Sequence, residues 1–291
     1  MIVDAHVHAG IGRGPLTAPW NAEARLGRYR RRADAAGIDV SILVGLFQPD
    51  TSVANRQVGE IVSREPDRFV GFVSVHPKRD AGGVGRIVDD AIERWGFKGI
   101  KVHRLQAPLT REVCDVARAC RLPILYDVVD RTELVDVVAE EFPEVDFIVP
   151  HLGSFGDDWR SHARVVEQLV RYPNLHADTS AVRRFDFLVE AVERAGAHKL
   201  IFGSDGPWMH PGLELEKIRL LRLPAADEEL VLAGNVLRLL GEQARRPQQR
   251  ARIRAASPYG RPGIGRRGSV TWPDYRQSTV PTNRYREGAI R

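Results

Sequence analysis

Stretches of consecutive apolar residues alternate with amphipathic stretches from residue 2 to about residue 241. Eight apolar runs have the length and the Val, Ile and Leu content of buried strands: 2–7, 40–46, 69–75, 98–103, 122–127, 145–150, 174–179 and 199–204. Helical spacing is found in these segments: 24–36, 52–65, 83–95, 110–120, 131–141, 158–171, 185–195, 213–222 and 227–240. Apolar strands separated by helices are typical of a parallel sheet covered by helices. Eight such units in about 240 residues predict an α/β protein of the (β/α)8 TIM-barrel class.

A doubly wound open sheet is the alternative fold for the same alternation. That fold calls for a glycine-rich phosphate loop directly after the first strand, followed at once by a helix. The segment His8-Ala9-Gly10-Ile11-Gly12 does not supply the GxGxxG pattern. The sequence therefore favours the barrel.

The alternation stops beyond Gly241. Residues 243–291 are rich in Arg, Pro, Gly, Ser and Thr without a helical or strand period, which predicts a disordered basic tail after a barrel domain of residues 1–242. The tail holds 12 Arg, no Lys and two acidic residues, a net charge of +10, and subtracting this from the total of +5 leaves −5 for the barrel domain. A basic arm that contacts a partner's acidic surface or nucleic acid is the alternative. Nothing in the tail favours a specific target, so we do not expect a nucleic-acid function.

Composition also bears on the cellular setting. No window approaches the roughly 18 unbroken apolar residues of a membrane helix, and the chain starts with a strand pattern rather than a signal sequence. We therefore expect a cytoplasmic protein with no membrane partner. Cys114 and Cys120 share one helix-like stretch, which predicts small buried side chains rather than a disulfide framework.

Two histidines stand two residues apart near the end of the first predicted strand. Since positions i and i+2 of a strand share a face, His6 and His8 are expected to project together, with Ile2 and Asp4 behind them. Three residues are expected on the opposite face: Val3, Ala5 and Val7. Two neighbouring imidazoles at a strand end are half of a metal site.

Chemistry in a barrel of this class lies at the carboxyl ends of the strands. Ionisable residues end other predicted strands: His76, Lys101, His103, Asp127, His151, Asp178 and Asp205. A core built for stability alone would not gather so many, because a buried imidazole needs a partner for each ring nitrogen. Structural roles stay open for three of them: a hydrogen-bonded structural residue for His76, an ion pair for Lys101, and a helix cap or rim hydrogen bond for Asp178. The remaining histidines are expected at the surface or at caps: His162, His176, His198 and His210.

Five segments carry recognisable motifs in one order along the chain: 3–8 (VDAHVH), 99–103 (GIKVH), 150–153 (PHLG), 202–208 (FGSDGPW) and 233–240 (AGNVLRLL). They resemble the amidohydrolase superfamily, specifically the amidohydrolase-2 group that includes the aminocarboxymuconate-semialdehyde decarboxylase-like enzymes. An HxH pair alone is a moderate signal. The three motifs HxH, PHLG and FGSDGPW in register make the resemblance specific.

The resemblance implies a metal-centred barrel with one divalent ion, usually zinc. The ligands would be these four: His6, His8, Asp127 and Asp205. The strand-six histidine, His151, would stand beside the ion as an acid, a base or an electrophile. The family has histidine where this chain has Asp127, and a carboxylate there would weaken the Lewis acidity of the ion or shift the preference toward manganese. Some relatives are metal-free lactonases, so a site without metal is the alternative.

The predicted activity is hydrolysis of a small carbonyl substrate such as an amide or a lactone. A bound ion lowers the pKa of water to about 7. Asp205 would then accept the water's proton, and His151 would polarise the carbonyl or protonate the leaving group. Lys101 and His103 are the candidate substrate-binding residues; a carboxylated Lys101 that bridges two metals is a further alternative.

Two other functions stay open. The same groups would serve a non-oxidative decarboxylase of a small aromatic carboxylate, with Asp205 or His151 delivering a proton to carbon. The second is a non-enzymatic function, in which the barrel has no activity and the basic tail carries out the function. Arginines near the mouth would favour an anionic substrate: Arg13, Arg104 and Arg183. The expected partner is a small-molecule substrate, and a homodimer is expected by analogy with the family alone.

Overall fold

The computed structural model describes residues 1–13 and 23–241. The predicted disordered tail, residues 243–291, lies outside the described residues, so the division of the chain at residue 242 stays a prediction. No helix in the described part of the chain is long and apolar enough to cross a membrane.

The strands form one curled sheet that closes into a barrel. They are β1 (Val3–Ile11), β2 (Glu23–Ala24), β3 (Val40–Gly45), β4 (Phe69–Ser74), β5 (Gly99–His103), β6 (Ile124–Asp127), β7 (Phe147–Val149), β8 (Leu175–Asp178) and β9 (Leu200–Ile201). Neighbours pair in the order β2-β1-β3-β4-β5-β6-β7-β8-β9, and every pair except β2–β1 is parallel. Closure comes from the Ala5 N–H, which donates to the Phe202 carbonyl at 2.9 Å, and the His8 N–H, which donates to the Gly206 carbonyl at 2.7 Å. The predicted TIM barrel is confirmed, with a strand in each of the eight predicted segments.

The short strand β2 is an addition to the predicted pattern. It pairs antiparallel with the end of β1, at Gly10 and Ile11. Beyond that point the Arg13 N–H donates to the Phe47 carbonyl at 2.9 Å. These bonds extend β1 past the barrel rim and carry Arg13 over its mouth.

Helices cover the outside of the barrel. They are α1 (Leu26–Ala36), α2 (Thr51–Arg64), α3 (Val84–Trp95), α4 (Arg111–Cys120), α5 (Glu133–Glu141), α6 (Trp159–Arg171), α7 (Phe185–Ala195), α8 (Pro211–Leu220), α9 (Ala225–Glu229) and α10 (Asn235–Gly241). Local chemistry fixes their ends: Asp50 caps α2 by accepting the Ser52 N–H at 2.9 Å, and Gly37 ends α1 with φ of 76°. The helix predicted at 227–240 is interrupted by a π-turn at Leu230–Gly234.

Apolar side chains pack in two layers. One layer fills the barrel, and helix α10 closes its floor with Val236, Leu239 and Leu240. The larger layer lies between the strands and the surrounding helices, where Cys114 of α4 packs as a small buried side chain. Burial raises the pKa of the Cys114 thiol to about 12, as expected for a core cysteine.

A bulge in β1 changes which side chains face the barrel interior. The pairing of β1 with β3 shifts register between Asp4 and Val7. The predicted alternation is therefore wrong across the bulge: Ala5 packs inside the barrel and Val7 outside it, while Asp4 lies on the helix side. The extra residue restores the inward direction for His6 and His8, so apolar residues fill the barrel and imidazoles line its mouth.

Candidate active site at the barrel mouth

Two imidazoles from β1 meet a carboxylate that follows β9. The His8 Nε2 atom lies 3.1 Å from Asp205 Oδ1, and the His6 Nε2 atom lies 3.8 Å from the same oxygen. Asp205 has φ of 55°, a left-handed conformation that is costly for a non-glycine residue. The strain is maintained by the surrounding structure, which aims this carboxylate at the two histidines.

Asp178, at the end of β8, supports the site from behind. Its Oδ2 atom accepts a hydrogen bond from His6 Nδ1 at 2.9 Å, which leaves His6 Nε2 directed toward Asp205. Its Oδ1 atom accepts from the His151 N–H at 3.0 Å and from the Ser180 hydroxyl at 2.5 Å. Of the two structural roles left open for Asp178, these contacts are hydrogen bonds at the barrel rim and not a helix cap. The signal was present, because Asp178 ends a strand on the same face as the other candidates.

His151 enters the site through an unusual turn after β7. In the segment Pro150–Gly153 three successive residues have positive φ: His151 at 58°, Leu152 at 47° and Gly153 at 88°. His151 Nδ1 donates to the Ser180 carbonyl at 3.0 Å, so Nε2 faces the cavity. Such a run of strained residues at a polar site indicates a functional constraint.

Asp4 braces Asp205 from the helix side of the barrel. Its carboxylate accepts hydrogen bonds from the Tyr29 hydroxyl at 2.8 Å and from the Ser204 N–H at 2.8 Å. The Ser204 hydroxyl donates to it as well. Asp4 therefore holds Ser204, the residue before Asp205, through two hydrogen bonds, a support that strand periodicity did not reveal.

Burial and neighbouring charges set the protonation states of the site. Burial lowers the pKa of His6, and it lowers the pKa of His8 to about 4, so both imidazoles are neutral at neutral pH. Burial would raise the pKa of Asp205, but the nearby imidazoles of His8 and His6 outweigh it and hold the pKa below its usual value. Burial would lower the pKa of His151, but the carboxylates of Asp205, Asp178 and Asp127 outweigh it and raise the pKa above its usual value.

The predicted substrate-binding residues lie on β5 at different depths. Lys101 is buried, with its Nζ atom 3.5 Å from His6 Nε2, and burial lowers the pKa of its amine. His103 lies nearer the opening and donates from Nε2 to Asp127 Oδ2 at 3.1 Å. Asp127 Oδ2 is also 3.9 Å from His151 Nε2. The structure thus brings together every residue that the sequence proposed for the site.

A cavity of about 230 Å³ opens above these residues. Its polar floor is formed by His8, His103, Asp127, His151 and Asp205. Its walls are apolar and aromatic, with Phe47, Phe155 and Trp208 among them, and Arg13 lies at its rim. A cavity of this size and lining suits a small planar molecule with an anionic group.

The donor atoms at the floor fit a divalent metal ion. In the described residues, one nitrogen each of His6 and His151 and one oxygen of Asp205 lie within 4.8 Å of one another. Ligands at zinc distances in tetrahedral geometry lie about 3.4 Å apart, close to the separations of His6 and His8 from Asp205. Neutral imidazoles and an ionised carboxylate are the forms that bind a metal. Neither His8 nor Asp127 is in this close group, which contains His151 instead, and the assignment of His6, His8, Asp127 and Asp205 as metal ligands stays a prediction.

The other histidines lie away from the cavity. His76 Nδ1 accepts the Arg79 N–H at 3.2 Å, and His210 caps α8 by accepting the Gly212 N–H at 3.2 Å. His198 is exposed. The surface position expected for His162 and His176 is wrong, because both are buried. His162 Nδ1 donates to the Leu152 carbonyl at 3.0 Å and so supports the turn that carries His151.

Comparisons with known proteins agree with this geometry. The family model of the amidohydrolases (amidohydrolase-2) matches residues 3–241. Among curated proteins, none matches the chain by sequence.

Solved structures share the fold at low sequence identity. A 5-carboxyvanillate decarboxylase from Sphingomonas paucimobilis matches with a TM-score of 0.66 and 15% identity, over 82% of this chain and 98% of that one. A dihydroxybenzoic acid decarboxylase from Polaromonas, with bound manganese and 2-nitroresorcinol, matches with a TM-score of 0.62 and 17% identity, over 82% of this chain and 96% of that one. A probable 2-pyrone-4,6-dicarboxylic acid hydrolase from Acinetobacter baumannii, with bound citric acid, matches with a TM-score of 0.63 and 17% identity, over 82% of this chain and 99% of that one. Because the family match spans most of the chain, the protein belongs to the amidohydrolase-2 family of metal-dependent enzymes.

Proposed function

We propose that the protein is a metal-dependent hydrolase that acts on a small carbonyl substrate, an amide, a lactone or a related compound. The observation that carries the proposal is that the Asp205 carboxylate and the His151 imidazole, which come from different strand ends, both line one cavity. Asp205 lies beside the two neutral imidazoles of β1, and His151 faces it with a raised pKa. A base and an acid so placed are what hydrolysis of a carbonyl bond requires.

His6, His8 and Asp205 would hold one divalent ion, zinc by the family's usual preference and manganese as the alternative. When bound, the ion would polarise the substrate carbonyl and lower the pKa of an attacking water. Two neutral histidines and one carboxylate leave the ion with a net positive charge. The set also leaves the cavity side open for substrate.

The protein's own groups would move the protons. The Asp205 carboxylate accepts a proton from the attacking water, and the His151 Nε2–H donates one to the leaving oxygen or nitrogen. The apolar walls exclude bulk water and strengthen both interactions. Arg13 at the rim would bind a carboxylate of the substrate, and Lys101 would supply positive charge from below.

Decarboxylation is the second candidate, and the aromatic lining of the cavity favours it. Phe47, Phe155 and Trp208 suit a flat ring, and two of the solved structures described above are decarboxylases of aromatic acids. In that reaction the carbon–carbon bond to the carboxylate breaks, CO2 leaves, and His151 or Asp205 delivers a proton to the ring carbon.

The test is a mixed substrate screen on protein reconstituted with zinc or manganese. Lactones, amides and aromatic carboxylates are scored both for hydrolysis products and for CO2 release. We expect ion-dependent turnover that falls at least about 100-fold in Asp205→Asn and in His151→Asn. His76→Gln, which changes a histidine outside the cavity, should retain activity. CO2 release without hydrolysis would select the second candidate, and turnover that survives complete chelation would support the metal-free lactonase instead.

The cellular setting and assembly stay proposals. We propose a cytoplasmic location and a homodimer, with a small-molecule substrate as partner. Fractionation of cells and the mass of the purified protein in solution test the two statements separately.

A further inference from the structure

We propose that Asp127 does not bind the metal ion and instead forms a fixed pair with His103 on the opposite wall of the cavity. The inference rests on the proposed function, because it concerns which residues hold the ion. It assigns a role to the aspartate that stands where the family has a histidine.

Strand register brings the two residues together. His103 ends β5 and Asp127 ends β6, and the two are directly paired across the parallel strands. The Arg104 N–H donates to the Asp127 carbonyl at 2.9 Å, which continues the ladder past the pair. Neighbouring positions on one face of a sheet place their side chains in contact. The pair is therefore built into the barrel and does not depend on a flexible loop.

The His103 ring is fixed by three contacts. Its Nδ1 atom accepts the Leu105 N–H at 3.2 Å, so the ring hydrogen belongs on Nε2. The Nε2–H then donates to Asp127 Oδ2 at 3.1 Å. The edge of the Phe47 ring packs against the imidazole at 4.9 Å between centroids and 88° between planes. Rotation of the ring would break all three contacts.

Both carboxylate oxygens of Asp127 are engaged. Oδ1 accepts the Val129 N–H at 3.1 Å, while Oδ2 accepts from His103. Asp127 Oδ2 lies 3.9 Å from His151 Nε2, and among the described residues Asp127 forms no ion pair with His6 or His8, two of the proposed ligands. To reach an ion held by His6, His8 and Asp205, the Asp127 carboxylate would have to move toward them and away from His103 and the Val129 N–H.

The pair has a chemical consequence for the cavity. With Asp127 bound to His103, an ion held by His6, His8 and Asp205 would be balanced by one carboxylate and would keep more Lewis acidity than with two. Asp127 lines the cavity with 12% of its side chain exposed, and its Oδ2 atom has a second lone pair besides the one that accepts from His103. That oxygen would accept a hydrogen bond from a hydroxyl or N–H group of the substrate. Asp127 is thus a positioning residue for His103 and a selector of substrates that carry such a donor.

Metal affinity tests the assignment without any substrate. Zinc and manganese are titrated into metal-free wild type, Asp127→Asn, Asp127→Ala and Asp205→Asn, with thermal unfolding as the control for folding. We expect both Asp127 variants to bind the ion within about threefold of wild type. Asp205→Asn should lose more than the 10- to 100-fold that removal of a supporting residue costs.

The state of the His103 ring gives the second readout. In the nitrogen NMR spectrum of the metal-free protein, His103 should show hydrogen on Nε2 in wild type and in Asp127→Asn, whose amide oxygen can still accept. Asp127→Ala should lose this preference. A loss of affinity in both Asp127 variants equal to that in Asp205→Asn would overturn the inference and leave the proposed function intact. A wild type that binds neither ion would overturn both.

Discussion

Individual side chains at the barrel mouth hold one another in defined charge states. Asp178 fixes the tautomer of His6 through Nδ1, and burial keeps His6 and His8 neutral. The sequence could place the candidate residues at strand ends, because each strand is recognised from its own run of apolar residues and the active site of such a barrel lies at the carboxyl ends of the strands. It could not predict that His6 and Asp178 pair, since they are 172 residues apart and meet only when the barrel closes. The partner of Asp127 was hidden for the same reason.

Asp178 should increase the affinity of the site for a metal ion. The Asp178 charge orients His6 and makes its imidazole more basic. Asp178→Asn removes this charge, so the affinity for zinc or manganese should fall about 10- to 100-fold. Competition with a chelator of known affinity measures this. Asp186→Asn is the matched control, because Asp186 is an exposed carboxylate on α7. An Asp178→Asn affinity equal to that of the control would contradict the supporting role.

The stability of the protein should depend on pH through the ionisation of Asp4. Burial raises the pKa of Asp4 from 3.8 to about 7, despite its hydrogen bonds from Ser204 and Tyr29. Because the folded state holds this proton more tightly, the stability it contributes is complete below pH 3.8 and is lost as pH rises through about 7. We expect the free energy of unfolding of wild type, relative to Asp4→Asn, to fall by up to about 4 kcal/mol over that range. Denaturant titrations at several pH values measure it, and a constant or rising difference would refute it.

Two short departures from regular structure position the site. The bulge in β1 turns His6 and His8 inward, and the turn Pro150–Gly153 carries His151 over the cavity. The sequence predicted both elements that flank the turn, and the PHLG motif marked its place. Strict alternation of strand residues could not predict the bulge. Apolar residues occur on both faces of β1, so the sequence does not show where one extra residue shifts the alternation. Functional sites are where local rules are expected to fail.

The element-scale prediction concerns Gly153. Its φ is 88°, and an added Cβ would lie 2.5 Å from Val165 Cγ2. Gly153→Ala should therefore cost about 2–4 kcal/mol of stability and displace His151. Gly27→Ala is the control, because nothing lies within 4 Å of its Cβ position and alanine suits a helix. Denaturant unfolding compares the two variants, and equal stabilities would show that the turn tolerates a side chain.

The whole molecule brings the site together by closing one sheet. Residues from β1, β5, β6, β8 and the segments after β7 and β9 converge at one mouth because all seven pairings from β1–β3 to β8–β9 are parallel. The eight barrel strands and their order followed from the sequence, since each of these strands is apolar and each helix amphipathic, but the short strand β2 did not. The substrate did not follow, because the shape of the cavity depends on rim residues such as Arg13 and Phe155 that no periodicity predicts.

The whole-molecule prediction concerns the tail. The residues proposed for the site all lie between His6 and Asp205, and the family match ends at residue 241. A chain that ends at residue 242 should therefore unfold within a few degrees of the full chain and bind the ion with the same affinity. Calorimetry and metal titration of both chains test this. A shortened chain that folds but binds no ion would place part of the site in the tail.

Metal content is the most direct test of a metal-dependent site at the barrel mouth. Elemental analysis after reconstitution with zinc or manganese and removal of excess ion should give one ion per chain in wild type and in His76→Gln. His6→Ala should give almost none while keeping its cooperative unfolding. A wild type without bound ion, or a His6→Ala variant that holds as much as wild type, would contradict the account.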